Sequence, residues 1–190
     1  MHIYFAGTAG FDPSRALAPG RRPAAESAAA WSLLAWALRR DFGLGGLPVA
    51  GLDGGKPYFP SRPDICFSLS HTRGFVLCAL SSRPVGADVQ LISEKDAPFA
   101  ERLMSQSERR CFTLHELWCL REAAFKLTGS GSLRDTRFRR ESGVIVSPFA
   151  GVEYRLYPGI PGCAAAAAAY APADFPPGPE RVDTRELQRA

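Results

Sequence analysis

Two short segments of the sequence place oxygen-bearing side chains where they could hold a hard divalent cation. Residues 86–90 have the sequence GADVQ, and Asp88 and Gln90 would share one face of a strand because side chains alternate along a strand. Glu122 adds a carboxylate from a predicted helix further along the chain. Carboxylate and amide oxygens are the ligands that Mg²⁺ prefers. Either segment alone is also typical of a solvent-facing strand or helix.

A second pair of residues could combine metal binding with phosphate binding. Glu122 and Lys126 are four residues apart in the segment WCLREAAFKLTG, so both lie on one face of the predicted helix. The spacing and order are those of an ordinary surface ion pair. The alternative is that Glu122 binds a metal ion while Lys126 contacts phosphate.

Two further segments contain residues that could contact a phosphate group. Ser70 and His71 open a predicted turn at 70–74, where they could bind phosphate or cap the turn. No GxSxG motif is present, and the adjacent Ser and His exclude a hydrolase triad. Lys56 in GGKPYFP could pair with phosphate or remain a solvated turn residue. The spacing of a Walker A loop is absent.

Alternating helical and strand patterns surround these residues and predict a mixed α/β fold. A helix with one apolar face is predicted at 24–42, ending at Gly43. The six alanines within 163–170 favour a helix by propensity, but the flanking prolines favour a strand, which we predict. Residues 43–64 are predicted to be irregular. The other predicted strands are 2–6, 65–69, 75–80, 85–91, 144–146 and 152–157, and the other helices are 98–104, one from 105, and 114–127.

The composition excludes several classes of function. The chain has 190 residues, a net charge of +4 and 46% hydrophobic residues, typical of a globular protein. No long basic run with interleaved aromatic residues marks a nucleic-acid surface, and no apolar run could span a bilayer. Five cysteines without a CxxC pair, and a start unlike a signal peptide, lead us to expect a cytoplasmic protein.

Four segments in a fixed order resemble the Sfp-type 4'-phosphopantetheinyl transferases. These segments are GGKPYFP, FSLSHTRGFVLCAL, RPVGADVQ and WCLREAAFKLTGSG, and the tail DFPPGPERVDTRELQ is also similar. The resemblance covers about residues 47–190. It implies a pseudo-dimer of two similar α/β halves, here 1–83 and 84–190, with the active site in the cleft between them. Such an internal repeat leads us to expect a monomer.

The resemblance also implies a reaction. The 4'-phosphopantetheine arm of coenzyme A would pass to a serine of an apo acyl or peptidyl carrier protein, releasing 3',5'-ADP. The reaction would depend on Mg²⁺, with Mn²⁺ as the alternative ion. By position, the implied metal ligands are Asp88, Gln90 and Glu122. The implied coenzyme A contacts are Lys56, Pro57, Ser70, His71 and Lys126, and Arg21 and Arg22 are the nearest basic candidates for further phosphate contacts. The implied catalytic residues are Asp88, Glu108, Glu122 and Lys126.

The sequence departs from the family pattern at two of these places. Gln90 stands where many members have a glutamate, so the site has one charge fewer, and Arg121 replaces a lysine, which keeps the charge but changes its geometry. The N-terminal region is also shortened. These departures leave one alternative open, a degenerate homologue that binds coenzyme A or a carrier protein without transfer.

Overall fold

The computed structural model describes residues 1–15 and 24–189, which form eleven strands and five α-helices in that part of the chain. The strands are β1 (His2–Gly7), β2 (Gly51–Asp53), β3 (Lys56–Tyr58), β4 (Cys66–Thr72), β5 (Phe75–Ser81), β6 (Val85–Leu91), β7 (Arg139–Glu141), β8 (Val144–Val146), β9 (Val152–Leu156), β10 (Cys163–Tyr170) and β11 (Glu180–Val182). The helices are α1 (Ala25–Phe42), α2 (Ala97–Leu103), α3 (Gln106–Arg109), α4 (Leu114–Thr128) and α5 (Thr184–Leu187). The predicted α/β class is confirmed.

Two sheets pack face to face, and each carries one long helix on its outer side. The first sheet has the order β11-β1-β5-β4 and the second β6-β10-β9. Alternation assigns the faces: Tyr4 and Ala6 pack with α1, whereas Ile3 and Phe5 pack against the second sheet. Three apolar clusters result, one under each helix and one between the sheets. No helix in the described ranges is long and apolar enough to cross a membrane.

The alanine-rich segment at 163–170 is strand β10, as predicted. Its alternate alanines face α4 on one side and the first sheet on the other. Small side chains let α4 lie close to the sheet, and the closest approach is at Gly86 on β6. A Cβ atom there would lie 2.0 Å from the carbonyl oxygen of Ala123. The propensity of alanine for helices is therefore overridden by packing.

Side-chain hydroxyls join the two sheets along the edges of β4 and β6. Three alternate residues of β4 each accept a hydrogen bond from a backbone N–H of β6, at 3.0 to 3.2 Å. The pairs are Ser68 with Ala87, Ser70 with Val89, and Thr72 with Leu91. We call this row the hydroxyl seam. It replaces the backbone ladder that would otherwise satisfy these buried N–H groups.

Two predictions about loops were wrong. Ser70 and His71 belong to β4, which continues to Thr72, so the β4–β5 turn contains only Arg73 and Gly74. Gly74 has φ of 85°, a conformation that glycine adopts without strain and that allows the shorter turn. The segment predicted to be irregular contains the β2–β3 hairpin, in which Gly51 pairs with Tyr58.

The C-terminal segment returns to the first sheet. Strand β11 pairs with β1 in parallel, and α5 packs beside α1. Trp36 Nε1 donates a hydrogen bond to Glu186 across this contact, at 2.6 Å. The division of the chain into halves at residues 83 and 84, and their pseudo-dimeric relationship, stay predictions.

Candidate functional site

Asp88 and Lys126 form a buried ion pair between β6 and α4. Lys126 Nζ lies 2.7 Å from Asp88 Oδ1, and the Ser70 hydroxyl donates to the same oxygen at 2.6 Å. Lys126 also donates to the carbonyl of Ala87 at 3.1 Å. Only 5% of the surface of Asp88 is exposed. A carboxylate this buried is stabilised by paired donors, and here both donors engage one of its two oxygens.

The local sequence explains why α4 presents Lys126 at this point. The helix begins with a capping box between Thr113 and Glu116, and it ends where Gly129 adopts a left-handed conformation with φ of 65°. Because the α4 backbone rests on Gly86, two residues before Asp88, the last turn of α4 lies within reach of the Asp88 carboxylate.

Glu122 lies one helical turn before Lys126, and its side chain is half-buried. Burial raises the pKa of its carboxyl, the negative charge of Asp88 raises it further, and the charge of Lys126 partly opposes this. The Glu122 side chain forms no hydrogen bond or ion pair with another of the residues that the structure describes. Asp88 and Glu122 are therefore two neighbouring carboxylates, of which one lacks a partner.

A cavity of about 600 Å³ opens beside this pair. Its lining combines the β2–β3 hairpin, the start of β4 and the C-terminal half of α4, including Lys56, Pro57, Glu122 and Lys126. Asp88 lies behind Lys126 and is not part of the lining. Four of the predicted site residues thus share one cavity, although they come from segments far apart in the sequence.

Lys56 supplies a second cation to the cavity. Its Nζ donates to the carbonyl of Val85 at 2.8 Å. Lys126 contacts the carbonyl of Ala87, two residues further along β6. Burial lowers the pKa of the Lys56 ammonium, and the nearby charge of Lys126 lowers it further. Two ammonium groups in one cavity repel each other, and an anion between them would relieve that repulsion.

Gln90 faces α4 from the same strand as Asp88, but it lines a different cavity of about 170 Å³. The neighbours there are Trp118 and His115 of α4, with Phe99 at the rim. His115 Nε2 lies 3.2 Å from both the Ser93 N–H and Asp96 Oδ2. The alternation predicted for 88 and 90 is present, since Asp88 contacts Lys126 while Gln90 lies beside His115 and Trp118 of the same helix.

Glu108, the predicted catalytic base, is fully enclosed by hydrogen-bond partners in this structure. The side chain is 0% exposed, and its Oε2 accepts hydrogen bonds from the Ser105 N–H and hydroxyl, both at 2.8 Å. Its Oε1 accepts from Arg121 Nη2 at 3.1 Å and from the Phe138 N–H at 3.2 Å. Both oxygens of this fully buried carboxylate are therefore occupied by partners within the protein. These contacts favour a structural role for Glu108, and its catalytic role stays a prediction.

Arg121 is the ion-pair partner of Glu108, and the sequence alone did not reveal this structural role. It is 2% exposed, and its guanidinium donates to the carbonyls of Thr136 and Leu103 at 2.9 and 2.8 Å as well as to Glu108. A lysine has no planar fork that could reach three acceptors in this geometry. Arginine at this position therefore ties together the segments before and after α4. The spacing of Ser105 and Glu108 is that of a helix capping box, and this was the sequence signal for the hydrogen bonds that Glu108 makes.

The other predicted contacts with coenzyme A fall in different environments. Ser70 is buried in the hydroxyl seam, with 5% exposure, while His71 is exposed on the same strand and points to the opposite face. Arg21 and Arg22 lie outside the described residues. The phosphate-contact role of each of these four residues stays a prediction.

The oxygen donors present fit a magnesium ion. In residues 1–15 and 24–189, no cluster of three or more His, Cys, Asp or Glu side chains could hold a metal ion by itself. Mg²⁺ commonly binds one or two carboxylates and completes its shell with water and substrate phosphates. Asp88 and Glu122 supply that number, and Asp88 Oδ2 receives no N–H or O–H donor within the described part of the chain.

Comparison with known proteins supports the resemblance seen in the motifs. The chain is 30% identical over 101 residues to a 4'-phosphopantetheinyl transferase of Bacillus subtilis, covering 45% of each chain. It is 34% identical over 87 residues to the transferase gsp of Aneurinibacillus migulanus, and 38% identical over 87 residues to psf-1 of Bacillus pumilus. These matches cover 40% of this chain and 36% and 37% of the relatives.

The chain spans less than half the length of the curated relatives that it matches. No protein-family model matches it. The predicted resemblance to Sfp-type 4'-phosphopantetheinyl transferases is confirmed, since the matching curated relatives carry that name.

Proposed function

We propose that this protein transfers the 4'-phosphopantetheine arm of coenzyme A to a serine of an apo carrier protein and releases 3',5'-ADP. The observation that carries the proposal is the Asp88–Lys126 pair, 2.7 Å apart, beside a cavity that also contains Glu122 and Lys56. The names of the curated relatives supply the reaction class. The arrangement supplies two cations for a pyrophosphate and two carboxylates for a divalent ion.

The two lysines would recognise the pyrophosphate of coenzyme A. Phosphoryl transfer depends mainly on positioning and on neutralising negative charge. Lys56 and Lys126 enter the cavity from opposite walls, the hairpin and the helix, and both are held by carbonyls of β6. A phosphate placed between them would supply a counter-charge to both ammonium groups, and Lys126 would leave its contact with Asp88. Lys126 would then stabilise the charge on the departing 3',5'-ADP.

The two carboxylates would hold Mg²⁺, with Gln90 or water completing the shell. When bound, Mg²⁺ would supply Lewis-acid stabilisation to the pyrophosphate oxygens. Mn²⁺, which prefers the same oxygen donors, is the expected substitute. Because Ser70 and Lys126 both donate to Asp88 Oδ1, an ion would bind at Oδ2, and transfer of Lys126 to phosphate would remove one competing contact from the carboxylate.

The remaining chemical requirement is removal of the proton from the attacking serine. The serine oxygen would form a bond to the β-phosphorus of coenzyme A, and the bond from that phosphorus to the ADP oxygen would break. With Glu108 occupied by Arg121, the carboxylates that line the cavity are those of Asp53 and Glu122, and Glu122 lies one helical turn from Lys126 on α4. It would accept the proton, directly or through one water.

The carrier protein and the location also belong to this proposal. Acyl and peptidyl carrier proteins are acidic, and a net charge of +4 on this chain would favour their approach. We expect a cytoplasmic monomer without nucleic-acid or membrane partners.

Chromatographic detection of 3',5'-ADP tests the reaction. We expect the product to appear only when coenzyme A, Mg²⁺ and an apo carrier are all present. A carrier whose acceptor serine is replaced by alanine provides the matched control. Release of 3',5'-ADP with that control carrier would indicate hydrolysis of coenzyme A and would contradict transfer.

A further inference from the structure

Ser70 occupies a special position in the hydroxyl seam. All three hydroxyls of the seam accept an N–H from β6, but only the Ser70 hydroxyl also donates to a side chain in the candidate site. Its acceptor is Asp88 Oδ1, at 2.6 Å. Thr72, two residues later on the same face, accepts the equivalent bond from the Leu91 N–H.

The geometry fixes the direction of the Ser70 proton. A hydroxyl has one proton and two lone pairs, and one lone pair of Ser70 accepts the Val89 N–H at 3.2 Å. A carboxylate can only accept, so the proton must point to Asp88 Oδ1. Ser70 and Asp88 are both 5% exposed, and water cannot readily replace this bond. The donor is anchored to the backbone on either side of Asp88, because Ser68 bonds to Ala87 and Ser70 to Val89.

Lys126 is the other donor to Oδ1, and its side chain is freer to move than that of Ser70. Its side chain is 24% exposed, compared with 7% for Asp88, and it ends a flexible four-carbon stem at the cavity wall. If Lys126 moves to a phosphate, Asp88 keeps the neighbouring Cys119 thiol, which is a weak donor, and the Ser70 hydroxyl, which is a stronger donor fixed on β4. That donor would hold Oδ1 in place and leave Oδ2 available.

We infer that Ser70 is a positioning residue, which orients the Asp88 carboxylate for a divalent cation through its hydrogen bond to Oδ1. This inference rests on the proposed function of Asp88 as a metal ligand. It differs from the role in coenzyme A binding that the motif resemblance assigned to Ser70. Hydrogen-bond partners of metal ligands commonly change metal affinity about 10–100-fold when they are removed.

The test is the affinity for Mn²⁺, followed by electron paramagnetic resonance of the free ion in the presence of coenzyme A. We expect Ser70→Ala to weaken Mn²⁺ binding about 10–100-fold. Ser70→Thr, which keeps the hydroxyl, should bind Mn²⁺ nearly as well as the original protein. Thr72→Val is the matched control, because it removes a bond of the same seam without touching Asp88, and it should leave Mn²⁺ affinity unchanged.

Binding of coenzyme A without metal separates the two roles of Ser70. If Ser70 only positions Asp88, the Ser70→Ala variant should bind coenzyme A in the presence of EDTA with the same affinity as the original protein. Weakened binding in EDTA together with unchanged Mn²⁺ affinity would overturn the inference in favour of a direct phosphate contact. Equal loss of Mn²⁺ affinity in Thr72→Val would also overturn it, since the effect would then come from the seam as a whole.

Asp88→Asn distinguishes failure of this inference from failure of the proposed function. If Asp88→Asn binds Mn²⁺ as tightly as the original protein, Asp88 is not a ligand and both ideas fall. If Asp88→Asn weakens Mn²⁺ binding and Ser70→Ala does not, only the positioning role falls. If Ser70→Ala does not fold, Ser70→Cys provides a second variant, because it keeps a similar volume with a weaker donor. We expect Ser70→Cys to lose Mn²⁺ affinity as well, but by a smaller factor.

Discussion

The Cα atom of Gly86 lies directly against the backbone of Ala123, so that an added Cβ would be 2.0 Å from the Ala123 carbonyl oxygen and 2.7 Å from the Leu127 nitrogen. Backbone atoms of a helix cannot move aside as a flexible side chain can. This contact sets the distance between β6 and α4, and with it the distance between Asp88 and Lys126.

We therefore expect Gly86→Ala to impair both stability and activity. Overpacking a core usually costs about 1–3 kcal/mol, and a clash with helix backbone should lie at the upper end or beyond. Urea unfolding measures the free energy of unfolding. Gly178→Ala is the control, because a Cβ at Gly178 meets nothing within 4 Å. Equal stability of the two variants would contradict the close packing of α4.

Removing the charge of Lys126 should slow transfer. Loss of one donor that stabilises developing charge commonly lowers kcat about 10²–10³-fold, which we expect for Lys126→Met. Steady-state kinetics with an apo carrier measures this loss. The exposed Lys95 provides the control, and Lys95→Met should keep its kcat. If both variants were equally active, the account of Lys126 would be wrong.

Glu122→Gln should separate stability from activity. The Glu122 carboxylate is half-buried beside the negative charge of Asp88 and lacks a hydrogen-bond partner among the described residues. Removing its charge should raise the free energy of unfolding measured at pH 7 in EDTA, and it should reduce transfer by about 10²-fold or more. A variant that lost stability while keeping activity would reverse both expectations.

Glu108 should contribute to stability in a pH-dependent way and not to chemistry. Burial acts to raise the pKa of its carboxyl, but hydrogen bonds from Ser105 and Phe138 and the charge of Arg121 outweigh burial and lower it. A lowered pKa means that the unfolded chain binds the proton more readily. This stabilisation is present above the ordinary value of 4.5 and is lost as the pH falls through the folded pKa.

Glu108→Gln tests that assignment. The change leaves Arg121 buried without its counter-charge, which commonly costs about 3–5 kcal/mol. Unfolding measured from pH 7 to 3 should show a flatter acid limb than in the original protein, and kcat of the folded variant should be nearly unchanged. Glu141→Gln, at an exposed glutamate, is the control. A large fall in kcat without loss of stability would restore Glu108 as the base.

Much of the fold followed from the sequence because its patterns agree with its packing. The apolar face of α1 and the alternation in β6 and β10 were predictable. The β2–β3 hairpin was missed because its three-residue strands, GLD and KPY, are too short to show an alternating pattern. Ser70 and His71 were placed in a turn because polar residues beside a glycine favour turns.

The site was predictable in part for a different reason. The order of the four motifs identified Asp88, Glu122, Lys126 and Lys56, whereas spacing alone favoured surface ion pairs. The same resemblance assigned Glu108 a catalytic role, because a motif transfers residue identity without its surroundings. Neither the burial of Glu108 by Arg121 nor the seam bond from Ser70 to Asp88 can be derived from spacing, since both join elements distant in the chain.

The intact mass of an apo carrier protein after incubation with this protein, coenzyme A and Mg²⁺ tests the central claim most directly. The account predicts a gain of roughly 340 Da, the mass of the phosphopantetheine arm attached through a covalent bond, and no gain with EDTA or with Asp88→Asn. No gain on fatty-acid, polyketide or peptide carriers, with coenzyme A binding intact, would contradict transfer and identify a homologue that only binds.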